Sequence, residues 1–180
     1  MTARESISVV VLLAIVVLAL WAMRLGWNHR RTRTAAFVGA LPPVPADLGP
    51  ARAEPVRAVY VSTTRAGDWL DRVVAQDLGV RSAATVHVHD TGVLVAREGA
   101  PDVFLPAQTL RAAGNAPGMA GKVVGRDGLV VLTWQPDPAD ERGLDTGLRP
   151  QHHADGPLLV DAVNALIAVS NGTNGTKEKS

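Results

Sequence analysis

The 180 residues suffice for about one domain, and the absence of cysteine excludes thiol catalysis, disulfides, iron–sulfur ligation and cysteine zinc sites. Hydrophobic residues at 47% and charged residues at 19% exclude a disordered, highly charged polypeptide. The net charge of +1 hides an asymmetry: Arg24, Arg30, Arg31 and Arg33 crowd near the N-terminus, whereas from Thr34 onward 13 basic residues face 16 acidic ones, so the folded part lacks the basic surface that a nucleic acid requires.

Ser6 to Met23 reads SISVVVLLAIVVLALWAM, eighteen residues without a charge. As a helix they reach about 27 Å, close to the ~30 Å hydrocarbon thickness of a bilayer, and in lipid a helix satisfies every backbone group. The expectation is a transmembrane helix over 6–25. A cleaved signal peptide would carry a shorter apolar run and a small-x-small site, and Trp21-Ala22-Met23-Arg24 offers none. Arg4 stands on one side of the span and Arg24, His29, Arg30, Arg31 and Arg33 on the other, which predicts an outside N-terminus and a cytoplasmic C-terminal domain at the plasma membrane. Trp21, Arg24, Trp27, Arg30, Arg31 and Arg33 are then the membrane-interface residues, indoles at headgroup level and arginines near anionic lipid.

Residues 26–55 read as a basic juxtamembrane segment and a proline-rich linker. Pro42, Pro43, Pro45, Pro50 and Pro55 exclude helix and central strand, and predict a semi-rigid spacer that holds the following domain off the membrane. The domain itself is placed at 56–170. Thr85-Val86-His87-Val88-His89 alternates, both valines on one face and both histidines on the other; Asp90-Thr91-Gly92 turns, and Val93 to Arg97 returns as a hairpin. A second hairpin is expected where Lys122 to Arg126 meets Leu129 to Trp134 through Asp127-Gly128, a pair suited to a type I′ turn. Val56 to Ser62, Asp102 to Leu105, Thr109 to Ala112 and Leu144 to Arg149 are shorter strand candidates. Residues Asp68 to Leu78 fit a helix or a strand equally.

The last element is a helix: Asp155 or Gly156 caps it, Pro157 suits its first turn, and Leu159, Ala162, Val163, Leu166 and Ile167 form one apolar stripe before Asn171-Gly172. Asp161 and Asn164 lie off that stripe and are expected to be exposed and without weight in stability. Residues 171–180 are polar and read as a disordered tail. Six or seven short strands followed by one amphipathic helix make an α+β plan, with the helix covering an open end of the sheet core.

That plan, with Gly-Asp-Trp-Leu-Asp-Arg-Val at 67–73, Leu-Gly-Val-Arg at 78–81, Gly-Val-Leu-Val-Ala-Arg at 92–97, Ala-Gly-Lys-Val-Val at 120–124, Val-Leu-Thr-Trp at 131–134 and Asp-Thr-Gly-Leu-Arg at 145–149, resembles a known family. It is similar to the membrane-anchored proteins of high-GC Gram-positive bacteria that carry a pleckstrin-homology-like (PH-like) domain, often described only as transporter-like or export-like. The resemblance implies a strongly bent sheet of about seven strands capped by a C-terminal helix, and little about activity, since that fold hosts lipid, peptide and protein binding alike; with nothing in the sequence arguing for catalysis, the expectation is a binding or scaffolding module.

The chemistry in the sequence is sparse. A phosphoinositide pocket needs several cations after the first strand, but between Thr63 and Arg72 the side chains of Arg65 and Arg72 are balanced by Asp68 and Asp71. Asp-Thr-Gly at Asp90 and again at Asp145 raises a retropepsin-like, membrane-anchored aspartic protease as the alternative function, with the two aspartates sharing a proton; an exported domain behind a signal anchor is the other. His87, His89, His152 and His153 lack a carboxylate at fixed spacing, and Trp69 and Trp134 read as core or rim aromatics. No catalytic residue, cofactor, metal or small-molecule substrate is expected. The expected partners are the lipid bilayer and another membrane or cytoplasmic protein.

Overall fold

Alternation of apolar and polar residues in β1 (Val56–Arg65) turns Val56, Ala58 and Tyr60 to one side, and this ten-residue strand becomes the middle of the sheet. The computed structural model describes residues 11–26, 38–123 and 128–177. After β1 come β2 (Asp68–Arg72), β3 (Ser82–His89), β4 (Gly92–Arg97), β5 (Val103–Pro106) and β6 (Leu110–Ala116). The small β7 (Gly118–Met119) and β8 (Lys122–Val123) precede β9 (Leu129–Trp134) and β10 (Leu144–Pro150). The main sheet has eight strands in the order β5-β4-β3-β1-β10-β9-β6, with β2 paired onto β1. Every pairing is antiparallel, and the first strand lies beside the last, Thr63 facing Thr146 and Thr64 facing Asp145. A bulge between Tyr60 and Ser62 bends β1 where it passes from one half of the sheet to the other.

The inner face gathers Val86, Val93, Val95, Leu132, Trp134 and Leu148, all fully buried. A helix over residues 11–26 is α1, and the C-terminal helix α2 (Asp155–Lys177) closes the core with Leu159, Val163, Leu166 and Ile167. Each such side chain contributes about 1.5 to 3 kcal/mol by leaving water. The predicted stripe is therefore the buried one. The helix runs on to Lys177, past the Asn171-Gly172 stop and into the stretch read as tail, so those two residues extend it instead of ending it.

Polar groups buried inside this core form one directed chain. Trp134 Nε1 donates to Thr146 Oγ1 at 3.0 Å, and Thr146 and Thr63 hydroxyls meet at 2.9 Å. Thr63 Oγ1 and the Tyr60 hydroxyl meet at 2.6 Å, and Tyr60 donates to Leu78 O at 2.8 Å. With one proton per hydroxyl, a single direction satisfies all four bonds, from the indole through both threonines and the phenol to the carbonyl. Arg97 lies over the Tyr60 ring at 4.1 Å and donates to Asp77 O, Val80 O, Pro101 O and Ser82 Oγ. Burial pushes the Tyr60 phenol up to about 12, a rise that the Thr63 hydrogen bond and the Arg97 charge partly oppose.

Three elements depart from the sequence reading. Leu129 to Trp134 is a strand, but its neighbours are β6 and β10; Lys122–Val123 pairs instead with Gly118–Met119. The β7–β8 hairpin turns at Ala120-Gly121, with φ positive at both positions (54° and 78°), and Asp127 lies outside the described residues. Residues 68–78 resolve into strand β2 and one tight turn at Ala75–Asp77, whose Asp77 carbonyl accepts from Arg97.

The proline segment is no spacer: Val38 is buried in the core, Arg52 N donates to Val88 O at 2.8 Å, Asp90 N donates to Pro50 O at 3.1 Å, and Gln76 bridges Leu41 N and Gly39 O. Proline cannot donate a ladder hydrogen bond but can accept one, and this segment docks largely through its carbonyls. Among the described residues no helix is long and apolar enough to cross a membrane. Of the expected span, residues 6–10 lie outside the described residues, and the side chains of α1 are exposed.

Asn164 carries more than its exposed position implies. Its amide accepts from Ala113 N and donates to Ala113 O, both at 3.1 Å, so α2 takes the place of a further strand along the edge strand β6. Asn164→Ala is expected to lower stability by about 1 kcal/mol, read from denaturant midpoints. For Tyr60, the folded-state value lies above the ordinary one near 10, so its stabilisation is complete below pH ~10 and is lost as pH climbs through about 12, on the order of 2 to 3 kcal/mol. Tyr60→Phe should remove this alkaline loss from the stability profile, at a cost of about 1 kcal/mol at neutral pH.

Candidate functional site

The strand register writes two rows across the outer face of the sheet. Ala112, Thr133, Asp145 and Thr64 stand side by side on β6, β9, β10 and β1, and Gly114, Val131, Gly147 and Ser62 form the next row. Small residues at the edge leave room there, and a side chain on Gly114 would meet nothing within 4 Å. Two excursions wall this floor. The β2 strand brings Trp69, and the β7–β8 turn is tied to it where Ala120 N donates to Trp69 O at 2.6 Å. Met119 packs so closely on Gly147 that any Cβ there would come within 2.5 Å of its sulfur. The result is a cleft of about 300 Å³ lined by Thr64, Trp69, Gly114, Thr133 and Asp145, among others.

Its lining side chains carry one carboxylate at Asp145, hydroxyls at Thr64 and Thr133, an amide at Asn115 and the Trp69 indole, and no basic group. Asp145 Oδ1 accepts from Thr133 Oγ1 at 2.6 Å and Oδ2 from Gly67 N at 3.1 Å, both neutral donors. Thr64 is fully buried, and its Oγ1 has no hydrogen-bond partner. Trp69 is 49% exposed. Next to the cleft, Arg65 grips Asp140 with both guanidinium nitrogens, Nη2 to Oδ1 at 2.9 Å, and so ties the end of β1 to the 135–143 loop. The Arg65 hydrogen bonds hold the Asp140 carboxyl below the usual carboxylate range.

A family model described as bacterial PH domain-like matches residues 38–164. The chain belongs to that family. The match begins at the buried Val38, where the packed proline segment also starts. Two solved structures are similar to the PH-like chain. One, "The 8S snRNP Assembly Intermediate", shares 10% identity over 71% of this chain and 89% of that chain, with a TM-score of 0.45. The other, Vav1 inhibited by an allosteric inhibitor, shares 12% identity over 78% of this chain and 32% of that chain, with a TM-score of 0.42. No curated protein matches the chain.

The PH-like fold scatters the residues that raised enzymatic readings. Asp90 sits in the β3–β4 turn against Arg52 at 2.5 Å, and Asp145 lies on β10. Val56 faces Val86 and Thr64 faces Asp145, so the two aspartates belong to opposite ends of β1, about 26 Å apart or more along the strand, and cannot share a proton. His87 and His89 stack with ring centroids 6.2 Å apart, and His89 Nδ1 meets Gly49 O at 3.0 Å. Among the described residues no three histidine or carboxylate side chains gather around a point fit for a metal ion. Arg72 Nη2 points to Ala120 O at 3.5 Å.

Of the membrane-interface residues, Trp21 and Arg24 are exposed on α1, and Trp27, Arg30, Arg31 and Arg33 lie outside the described residues. A wider apolar groove of about 710 Å³ runs between Pro42, Phe104 and Leu166. Sequence reasoning passes over Thr64 and Gly114 and reads Trp69 as a core or rim aromatic. The signal that could have found the site is a lone tryptophan between Asp68 and Asp71, too polar a setting for a core residue.

The Arg65–Asp140 pair gives a pH test. With the folded-state pKa of Asp140 lowered, the pair's stabilisation is present above the ordinary carboxylate range and is lost as pH falls through the lowered value. Asp140→Asn should therefore flatten the acid limb of the stability profile below about pH 4, measured by chemical denaturation across pH, and leave the alkaline limb alone.

Proposed function

We propose that the chain is a single-pass membrane protein that presents its PH-like domain as a binding or scaffolding module on the cytoplasmic side. The observation that carries this reading is the environment of α1. Its residues 11–26 are apolar apart from Arg24, and Val11, Leu12, Leu13, Ile15, Val17 and Leu18 each expose about half of their surface or more. A helix that is apolar all round and covered by no protein is stable where lipid covers it. The uncharged run begins at Ser6 in the sequence, and the arginines after Met23 favour the cytoplasm as the side of the domain.

Family membership supports the module half of the proposal, since the PH-like fold is a scaffold for binding surfaces in its loops and on its faces. The cleft beside Trp69 and the tight fixing of the 66–81 excursion by Arg97 supply such a surface on a rigid frame. With the proline segment docked, only residues 27–37 separate α1 from the packed domain in sequence.

The full-length chain should stay in the membrane pellet after alkaline carbonate extraction, and a compartment-sensitive reporter joined after Ser180 should be active only in the cytoplasm. Release by carbonate would remove the anchor. Reporter activity on the outer side would reverse the orientation and leave an exported PH-like domain.

A further inference from the structure

We propose that the cleft beside Trp69 binds a cationic group, with a guanidinium favoured over an ammonium. This rests on the reading of the domain as a binding module and names the chemistry of its site. Three observations converge. Asp145 presents a carboxylate whose oxygens take only neutral donors, at 2.6 and 3.1 Å, so its charge has no cationic partner among the described residues. Thr64 Oγ1, in the same cross-strand row and fully buried, lacks any donor or acceptor. The indole of Trp69 stands in the wall with half of its surface open.

A carboxylate, a free hydroxyl oxygen and an aromatic face are the three features that a planar guanidinium uses together, by charge-assisted hydrogen bonds and by stacking. An anion would meet Asp145 and no basic lining residue. A neutral apolar ligand would leave both the carboxylate and the Thr64 hydroxyl unpaired. The floor is small at Ala112 and Gly114, which leaves room for a flat cation over it.

An unpaired buried hydroxyl is a cost that the free domain bears and that a bound N–H donor relieves. Thr64→Val therefore separates a binding role from a structural one. It removes the unpaired group with little change of shape, so the free protein should melt at the same or a higher temperature while the cation binds more weakly. At the rim stands Arg72, on β2 opposite Thr64, with its guanidinium turned to Ala120 O. It repels a bound cation, so Arg72→Gln should tighten binding.

The test uses the full-length chain in detergent micelles, with ¹⁵N-labelled indoles and the Trp69 resonance assigned by Trp69→Phe. N-acetyl-arginine methylamide should shift that resonance saturably, and the uncharged isostere N-acetyl-citrulline methylamide should not. Asp145→Asn should weaken the arginine probe at least about tenfold. Gly114→Val fills the cleft floor with a side chain whose Cβ meets no neighbour within 4 Å, and should abolish the shift in a folded protein even where Asp145→Asn does not fold. A pentapeptide with a central arginine between alanines distinguishes the sources: tighter binding than the methylamide assigns the cation to a protein side chain, and equal binding assigns it to a free small molecule.

Equal shifts from arginine and citrulline probes would overturn the proposal, as would unchanged affinity in folded Gly114→Val or no saturable shift at any soluble concentration. Those results, with the Ser180 reporter still cytoplasmic, would remove the cleft and leave the module reading in place. A reporter on the outer side would reverse the topology and leave the cation site standing.

Discussion

The hydrogen-bond chain from Trp134 through Thr146, Thr63 and Tyr60 to Leu78 lies where the first and last long strands of the sheet meet, and the rest of the molecule depends on that meeting. Its five members come from four parts of the chain: Trp134 from β9, Thr146 from β10, Thr63 and Tyr60 from β1, and Leu78 from just after the tight turn that follows β2. A slip of one residue between β1 and β10 would turn Thr63 to the outer face and Thr64 to the inner one, breaking the chain at Thr146. Hydrophobic burial alone does not set this register so sharply, because a bent sheet with small residues on both faces tolerates several pairings. Here the polar groups choose one.

That choice also builds the outer face. With Thr63 and Thr146 fixed inside, Thr64 and Asp145 are placed side by side outside, and Thr133 and Ala112 complete their row across β9 and β6. The buried chain and the candidate cleft are thus two faces of one register. On the inner face every member of the chain is hydrogen-bonded, whereas the outer one keeps a buried hydroxyl unpaired and a carboxylate without a cation among the described residues. A domain that spends stability in one place and not in the next is showing where it was shaped for something other than folding. Gly147 and Met119 close the cleft at one end by close approach, and Gly114 leaves it open at the other.

The segment before β1 links this domain to whatever surrounds α1. Pro50 and Arg52 hydrogen-bond to the β3–β4 hairpin, Gln76 fastens Gly39 and Leu41, and Val38 enters the core. The N-terminal side of the domain is therefore fastened to the tip of β3–β4 and to the turn at Ala75–Asp77, the same turn that Arg97 secures behind Tyr60.

Local pattern is enough for part of this protein. The period-2 run from Thr85 to Arg97, the apolar stripe from Leu159 to Ile167 and the uncharged stretch from Ser6 to Met23 each carry their signal within a few neighbouring residues, so the hairpin, the helix face and the α+β plan are legible in the sequence by itself. Pairing partners are not. Leu129 to Trp134 reads as a strand from either side, and only the fold decides that β6 and β10, rather than Lys122 to Arg126, supply its hydrogen bonds. The same holds for the proline segment, whose residues forbid a donor ladder but say nothing of carbonyls that find amides on the β3–β4 hairpin. It holds for Asn164, polar and exposed, whose amide happens to face Ala113. Thr64 and Trp69 are near neighbours in sequence but Asp145 lies far from both, and the three form a site only because strand register and a β2 excursion bring them together. Long-range pairing is set by the sum of many weak contacts across the whole chain, and no window of sequence contains that sum.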